Sequence, residues 1–239
     1  MKNETLSQFE ELYHKITPAV ENSPETFVWF TGLPHFSFNV VMRLSGKMNS
    51  ETKVSQLIQQ APAHCPLSIW DHEENRTENL AEILKKHQFS LVMHCPLLAL
   101  SPKNNAPKKP KMKIVRGKIT TFCQIVADVF HLDDEVEKGW GTLLNQDSIE
   151  NYLVYHQGIP AGTGTLVLNK NCGAIFNIAV LPSHQKKGLA KGMMEFLINR
   201  ANKLGLEKLI LLSGPDTALF YTALGFEKKL DIAIYASQG

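Results

Sequence analysis

The stretch Ala174-Ile-Phe-Asn-Ile-Ala-Val180 runs straight into Leu181-Pro-Ser-His-Gln185-Lys-Lys-Gly188-Leu-Ala190, and this junction constrains the fold more than any other feature of the chain. The apolar run reads as a buried strand. The residues after it read as a glycine turn and an amphipathic helix. Leu189, Met193, Leu197, Ala201 and Leu204 recur at helical spacing, Met194 and Ile198 widen the face, and Gly205 is a suitable cap. A glycine turn at a helix start leaves several backbone N–H groups unpaired at the positive end of the helix dipole. Such a turn suits a phosphate or pyrophosphate. Lys186, Lys187 and Lys191 add positive charge there.

The elements around this junction follow from the same reasoning. Residues 113–116 read as a short strand. Residues 120–131 read as a helix with Phe122, Ile125, Val126, Val129 and Phe130 on one face, and 133–144 as a second helix opened by Asp133 and Asp134. Three apolar runs, 151–156, 162–168 and 174–180, are broken by turn compositions at 157–160 and 169–173, so an antiparallel meander is expected. After the glycine-turn helix come a strand at 208–212, a short helix at 216–224 and a last strand at 229–235. The class is α/β with a mixed sheet.

Composition excludes more than it identifies. The 239 residues carry 25 Lys+Arg against 23 Asp+Glu, a net charge of +2 that gives no reason to invoke nucleic acid or a membrane surface. Lys108, Lys109 and Lys111 read as a solvated linker. The N-terminal residues show no apolar signal core, and no apolar run is long enough to span a bilayer. Cys65, Cys95, Cys123 and Cys172 lie far apart, which suits reduced thiols in a cytoplasmic protein better than a disulfide framework or zinc site. His64 beside Cys65 is poor spacing for one tetrahedral metal, and no metal is expected.

Two motifs, in this order of elements, resemble the GNAT superfamily of acyl-coenzyme A-dependent N-acetyltransferases. Gln185-Lys-Lys-Gly188-Leu-Ala190 matches the family's Gln/Arg-x-x-Gly-x-Gly/Ala turn, and Leu219-Phe-Tyr221-Thr-Ala-Leu-Gly225-Phe226 its aromatic-Tyr-x-x-Leu-Gly-Phe segment. The resemblance implies acetyl-coenzyme A as cosubstrate. It implies that the backbone of Gln185, Lys186, Lys187, Gly188, Leu189, Ala190 and Lys191 holds the pyrophosphate. It places the pantetheine arm along the exposed edge at Ile178, Ala179 and Val180, with Ser213 near that arm, and makes Tyr221 the general acid.

The N-terminal half resembles a decayed copy of the same fold. Aligning Phe89 with Phe226 lays residues 80–89 over 217–226, with an apolar strand following in both places; 38–44 reads as a strand, 54–59 as a helix, and 66–70 as the strand before the last helix. The turn Ser45-Gly-Lys-Met-Asn-Ser50 lacks the Gln/Arg-x-x-Gly pattern, and Leu84 stands where Tyr221 stands. Two tandem domains of the acyl-CoA N-acyltransferase fold are therefore expected: 1–100 degenerate, 101–112 a proline-rich linker, and 113–239 catalytic, as a monomer or homodimer holding one cofactor per chain.

Acetyl transfer to an amine requires an aligned donor, a polarised thioester oxygen, removal of a proton from nitrogen, and protection of the departing thiolate. Many family members supply a glutamate on the strand before the turn. This strand has none, and Asn177 cannot take up a proton at neutral pH. Water, Glu150, His131, His156 or the N-terminal half stay open as routes. The function expected is an N-acetyltransferase acting on a primary amine; the alternative is an acyl-CoA-binding sensor without turnover.

Overall fold

Asn3 starts the first helix, α1 (Glu4–Ile16), its side-chain oxygen accepting from the N–H groups of Thr5 and Leu6. Leu6, Phe9, Leu12, Tyr13 and Ile16 recur every three or four residues and are buried. The computed structural model describes residues 3–45, 50–75, 79–105 and 107–237. It continues with β1 (Glu21–Asn22), β2 (Thr26–Phe30), β3 (Asn39–Leu44), α2 (Ser50–Gln60), β4 (Ser68–Asp71), α3 (Leu80–Lys86) and β5 (Phe89–Leu100). Next come β6 (Ile114–Arg116), α4 (Ile119–Phe130), α5 (Asp134–Leu143), β7 (Ile149–His156), β8 (Ile159–Asn169), β9 (Cys172–Val180) and α6 (Leu189–Lys203). The chain ends with β10 (Lys208–Leu212), α7 (Ala218–Thr222) and β11 (Glu227–Ser237). Two compact units result, one of residues 1–98 with 212–239 and one of residues 99–211.

In the first unit the strand order is β1-β2-β3-β4-β11-β5. β3 and β4 are parallel, which needs a crossover, and α2 provides it. Val28, Val41, Val54, Leu57, Ile69, Leu80, Leu84 and Phe89 form its core. Leu84 is a fully buried core residue in this copy. A buried ion pair fixes α1 to β3: Arg43 donates to the Glu10 carboxylate from Nε at 2.8 Å and from Nη2 at 3.0 Å. The turn at 46–49, read as lacking the phosphate pattern, lies outside the described residues.

The second unit orders its strands β10-β9-β8-β7-β6. β6 to β9 form the antiparallel meander, and β10 returns parallel to β9 through α6. Asp133 caps α5 by accepting from the Val136 N–H. Gly205, at φ +73°, follows the end of α6 as expected.

Three readings needed correction. Phe130 is 48% exposed although it belongs to the apolar face of α4, because the helix ends there and His131 turns left-handed at φ +55°. Leu204 is 39% exposed because it is the C-cap just past α6. Leu91 and Val92 on β5 are exposed although their run reads as apolar strand.

Candidate active site

The strand-turn-helix junction lies wholly in the second unit. β9 pairs with β8 along its length, but its pairing with β10 ends at Ala174↔Ile210 among the described residues. Beyond that point the β9 edge from Ile175 to Val180 has no ladder with β10 among the described residues, and Ile178, Ala179 and Val180 lie on that edge.

A bulge aims this edge. The β8–β9 register passes from Thr163↔Ala179 to Thr165↔Phe176, so Gly164 faces both Asn177 and Ile178. Asn177 adopts φ +53°, a left-handed conformation that asparagine tolerates better than most residues. Gly162 permits the close strand approach, since a Cβ there would lie 2.6 Å from the Ala179 carbonyl oxygen. Thr163 Oγ1 donates to the Asn177 carbonyl at 2.7 Å.

The turn itself is held from within. Gln185 Nε2 donates to the Val180 carbonyl at 3.2 Å, and Lys187 Nζ to the Ser183 carbonyl at 3.0 Å. Lys186 at φ +57° and Gly188 at φ +78° reverse the chain just before α6. The backbone N–H groups of Lys187, Gly188, Leu189 and Ala190 have no intramolecular acceptor among the described residues, as the first turn of a helix dictates. A Cβ built on Gly188 meets nothing within 4 Å, so the space beside Gly188 is open. Gln185, Lys186, Lys187, Gly188 and Lys191 are exposed, and Leu189 is buried beneath them. Lys191 also reaches Glu195 at 3.9 Å. These donors, charges and space fit a pyrophosphate.

Sequence reasoning missed two networks here. Glu150 on β7 is almost fully buried. It receives Arg200 Nε at 2.9 Å and Nη2 at 2.6 Å, the Tyr152 hydroxyl at 2.6 Å, and Arg116. Burial alone would raise its pKa, but the hydrogen bonds from Arg200 and Tyr152 and the charges of the two arginines bring it down to about 2. Glu150 is thus a structural anion joining β7 to α6, and its place as a route for the amine proton falls. His156 Nδ1 lies 3.0 Å from His184 Nδ1, which ties the end of β7 to the segment leading into the turn. Desolvation, then Lys187 and His184, lower the His156 pKa. His131 is exposed and caps α4. No sequence signal paired Glu150 with Arg200, because the two are 50 positions apart.

Ser213 and Tyr221 belong to the first unit. Ser213 is buried; its N–H donates to the Pro96 carbonyl at 3.1 Å, and its hydroxyl bonds to the Gly214 carbonyl at 2.8 Å and to Thr217 Oγ1 at 3.0 Å. Its hydroxyl shapes the turn before α7. Tyr221 packs edge-on to Phe220 at 5.0 Å and Phe226 at 6.2 Å, and burial raises its pKa to about 12. Among the described residues no group of three or more His, Cys, Asp or Glu side chains could hold a metal, and no helix is long and apolar enough to cross a membrane.

Residues 120–226 match the model of the Acetyltransferase (GNAT) family. That segment of the chain is similar to the GNAT superfamily. A protein of Bacillus subtilis (strain 168) that carries an acetyltransferase name is 30% identical over 77 residues, 32% of this chain and 52% of that protein, so the chain spans about half the length of this curated relative. Among solved structures, a GCN5-related N-acetyltransferase from Kribbella flavida superposes with a TM-score of 0.69 at 17% identity, covering 100% of this chain and 97% of the other. A tandem GNAT protein from the clavulanic acid biosynthesis pathway superposes with a TM-score of 0.58 at 12% identity, covering 99% and 95%. At these identities the likeness is one of fold, and it extends over the whole chain.

Proposed function

We propose that this chain is an acetyl-coenzyme A-dependent N-acetyltransferase that moves an acetyl group to a primary amine by direct attack on the thioester. The carrying observation is the turn at Lys187–Ala190, with its unpaired N–H groups beside the β9 edge that has no ladder with β10 among the described residues. In this reading the backbone from Gln185 to Lys191 binds the pyrophosphate, and Lys186 and Lys187 add charge. Ile178, Ala179 and Val180 present backbone groups to the pantetheine arm, and an N–H of this segment stabilises the oxyanion as the carbonyl is attacked. The cosubstrate supplies an activated acyl group and a thiolate leaving group. Tyr221 donates a proton to that thiolate; its raised pKa keeps it protonated throughout the neutral range. Ser213 orders the segment that leads to Tyr221.

The N-terminal residues act in this reading as a degenerate GNAT-like half without a cofactor, a division supported by the whole-length likeness to a tandem GNAT protein. A cytoplasmic place fits the four cysteines, which form no disulfide, and a monomer or homodimer fits the tandem pairing. The alternative, an acyl-CoA-binding module without turnover, is favoured by one observation: β9 offers Asn177 and no carboxylate, while Glu150 is committed to its arginines. Release of free thiol from acetyl-coenzyme A across a panel of amines separates the two. Amine-dependent release supports the enzyme; binding without release supports the sensor.

A further inference from the structure

One hydrogen-bond chain crosses the second unit from the α5 end to the β9 bulge, and its direction can be read without ambiguity. It starts at the Leu144 carbonyl, which can only accept. The Asn151 atom 3.1 Å from it is therefore the amide nitrogen, Nδ2. That places Asn151 Oδ1 toward Thr165, whose hydroxyl lies 2.8 Å away and donates to it. Thr165 has one proton to give and is fully buried, so no solvent substitutes for its partners. Its oxygen must then accept from the next residue, and the Asn177 atom at 3.1 Å is Nδ2. A single backbone carbonyl thus fixes the orientation of an amide three links away.

The consequence falls on Asn177 Oδ1. With Nδ2 turned to Thr165, Oδ1 is the atom left over, and it has no donor among the described residues. Its residue is held in place twice, by Thr165 through the side chain and by Thr163 through the backbone carbonyl. It sits half-buried on the bulge, one position before the edge Ile178–Val180. A neutral hydrogen-bond acceptor with this rigidity can align an N–H group but is too weak a base to keep its proton.

We infer that Asn177 Oδ1 accepts a hydrogen bond from the incoming amine and that, because the amide cannot take a proton, the amines that react are those that arrive uncharged. This rests on the acetyltransferase reading above. In the reaction the nitrogen lone pair forms the N–C bond, the C–S bond breaks, its electron pair leaves on sulfur as thiolate, and the surplus nitrogen proton passes to solvent. An ammonium ion has no lone pair to offer, and the Asn177 amide cannot generate one. The substrate class is therefore a weakly basic amine. A peptide α-amino group, with an ordinary pKa near 7.7–8.0, is roughly one-third neutral at pH 7.5, whereas a lysine side chain near 10.4 is neutral in about one molecule in a thousand.

The test compares triglycine with Nα-acetyl-lysine amide as acceptors, at saturating acetyl-coenzyme A and between pH 6 and 10. Triglycine is expected to show a kcat/KM higher by at least about 10-fold at pH 7.5, with a profile that rises and levels near the amine's own pKa. Asn177→Leu should raise the KM for triglycine about 10-fold or more and leave the acetyl-coenzyme A melting shift unchanged, the size expected for loss of one well-placed hydrogen bond. Asn177→Asp should move the rising limb to lower pH and shrink the preference. Thr165→Val frees the amide to turn over and should raise the same KM, while Thr165→Ser restores it. A preference for the lysine amine, or an Asn177→Leu protein with unchanged KM, overturns the inference and leaves the acetyltransferase reading standing. Absence of any acetyl-coenzyme A-dependent thiol release overturns both.

Discussion

The Glu150 carboxylate and the Arg200 guanidinium meet through two parallel hydrogen bonds, Nε to Oε2 at 2.9 Å and Nη2 to Oε1 at 2.6 Å, and so lock β7 to the helix that carries the glycine turn. Glu150→Gln keeps the shape and removes the charge. It is expected to lower stability by about 2–4 kcal/mol, less than for a fully enclosed pair because Arg116 and Arg200 reach solvent. The pH dependence has a defined sign. The folded pKa of Glu150, about 2, is below its unfolded value of 4.5, so its contribution is complete above pH 4.5 and is lost as pH falls toward 2. Wild-type stability should drop across that window more steeply than that of Glu150→Gln in denaturant titrations at stepped pH; parallel curves would contradict this.

Gly162 and Gly192 offer a contrast in packing. A Cβ at Gly162 would press on the Ala179 backbone oxygen at 2.6 Å, which cannot move without disturbing the β8–β9 ladder. Gly162→Ala should therefore cost about 2–3 kcal/mol. At Gly192 the obstacle is the flexible end of the Met112 side chain, so Gly192→Ala should cost less than half as much. Urea midpoints that rank the two in the opposite order would refute the argument.

Tyr221→Phe should lower turnover by about 100-fold or more while acetyl-coenzyme A still raises the melting temperature, because only the acid is removed. Since the Tyr221 pKa is raised from 10 to about 12, turnover in the wild type should show no loss from this group below pH 10. The stability linked to the neutral phenol is likewise complete below pH 10 and fades as pH rises toward 12. Unchanged turnover in Tyr221→Phe would remove this residue as the acid.

The second unit was largely legible in the sequence because its signals are local. The 3.6-residue period of α6, the capping Asp133 and the turn at Gly188 each lie within a few residues of what they determine. The first 35 residues were not legible: α1 is amphipathic but mixed in composition, and the Glu10–Arg43 pair that ties it to β3 joins residues 33 positions apart. The packing of 212–239 with residues 1–98 is a long-range choice that no local pattern encodes. At the site, the absence of a carboxylate on β9 was readable. The fate of Glu150 and the direction of the Asn151–Thr165–Asn177 chain were not, because both follow from side chains meeting across strands.

In the proposed function the turn around Gly188 holds coenzyme A. The most direct measurement is the melting temperature of wild type and Gly188→Glu with acetyl-coenzyme A at about 100 times its dissociation constant. Binding at that level adds about 2.7 kcal/mol, which for a chain of 239 residues should raise the wild-type midpoint by roughly 5–10 °C. Gly188→Glu places a carboxylate on the turn itself and should show no shift. A wild-type protein that acetyl-coenzyme A does not stabilise, or a Gly188→Glu protein stabilised as much as wild type, would contradict the account.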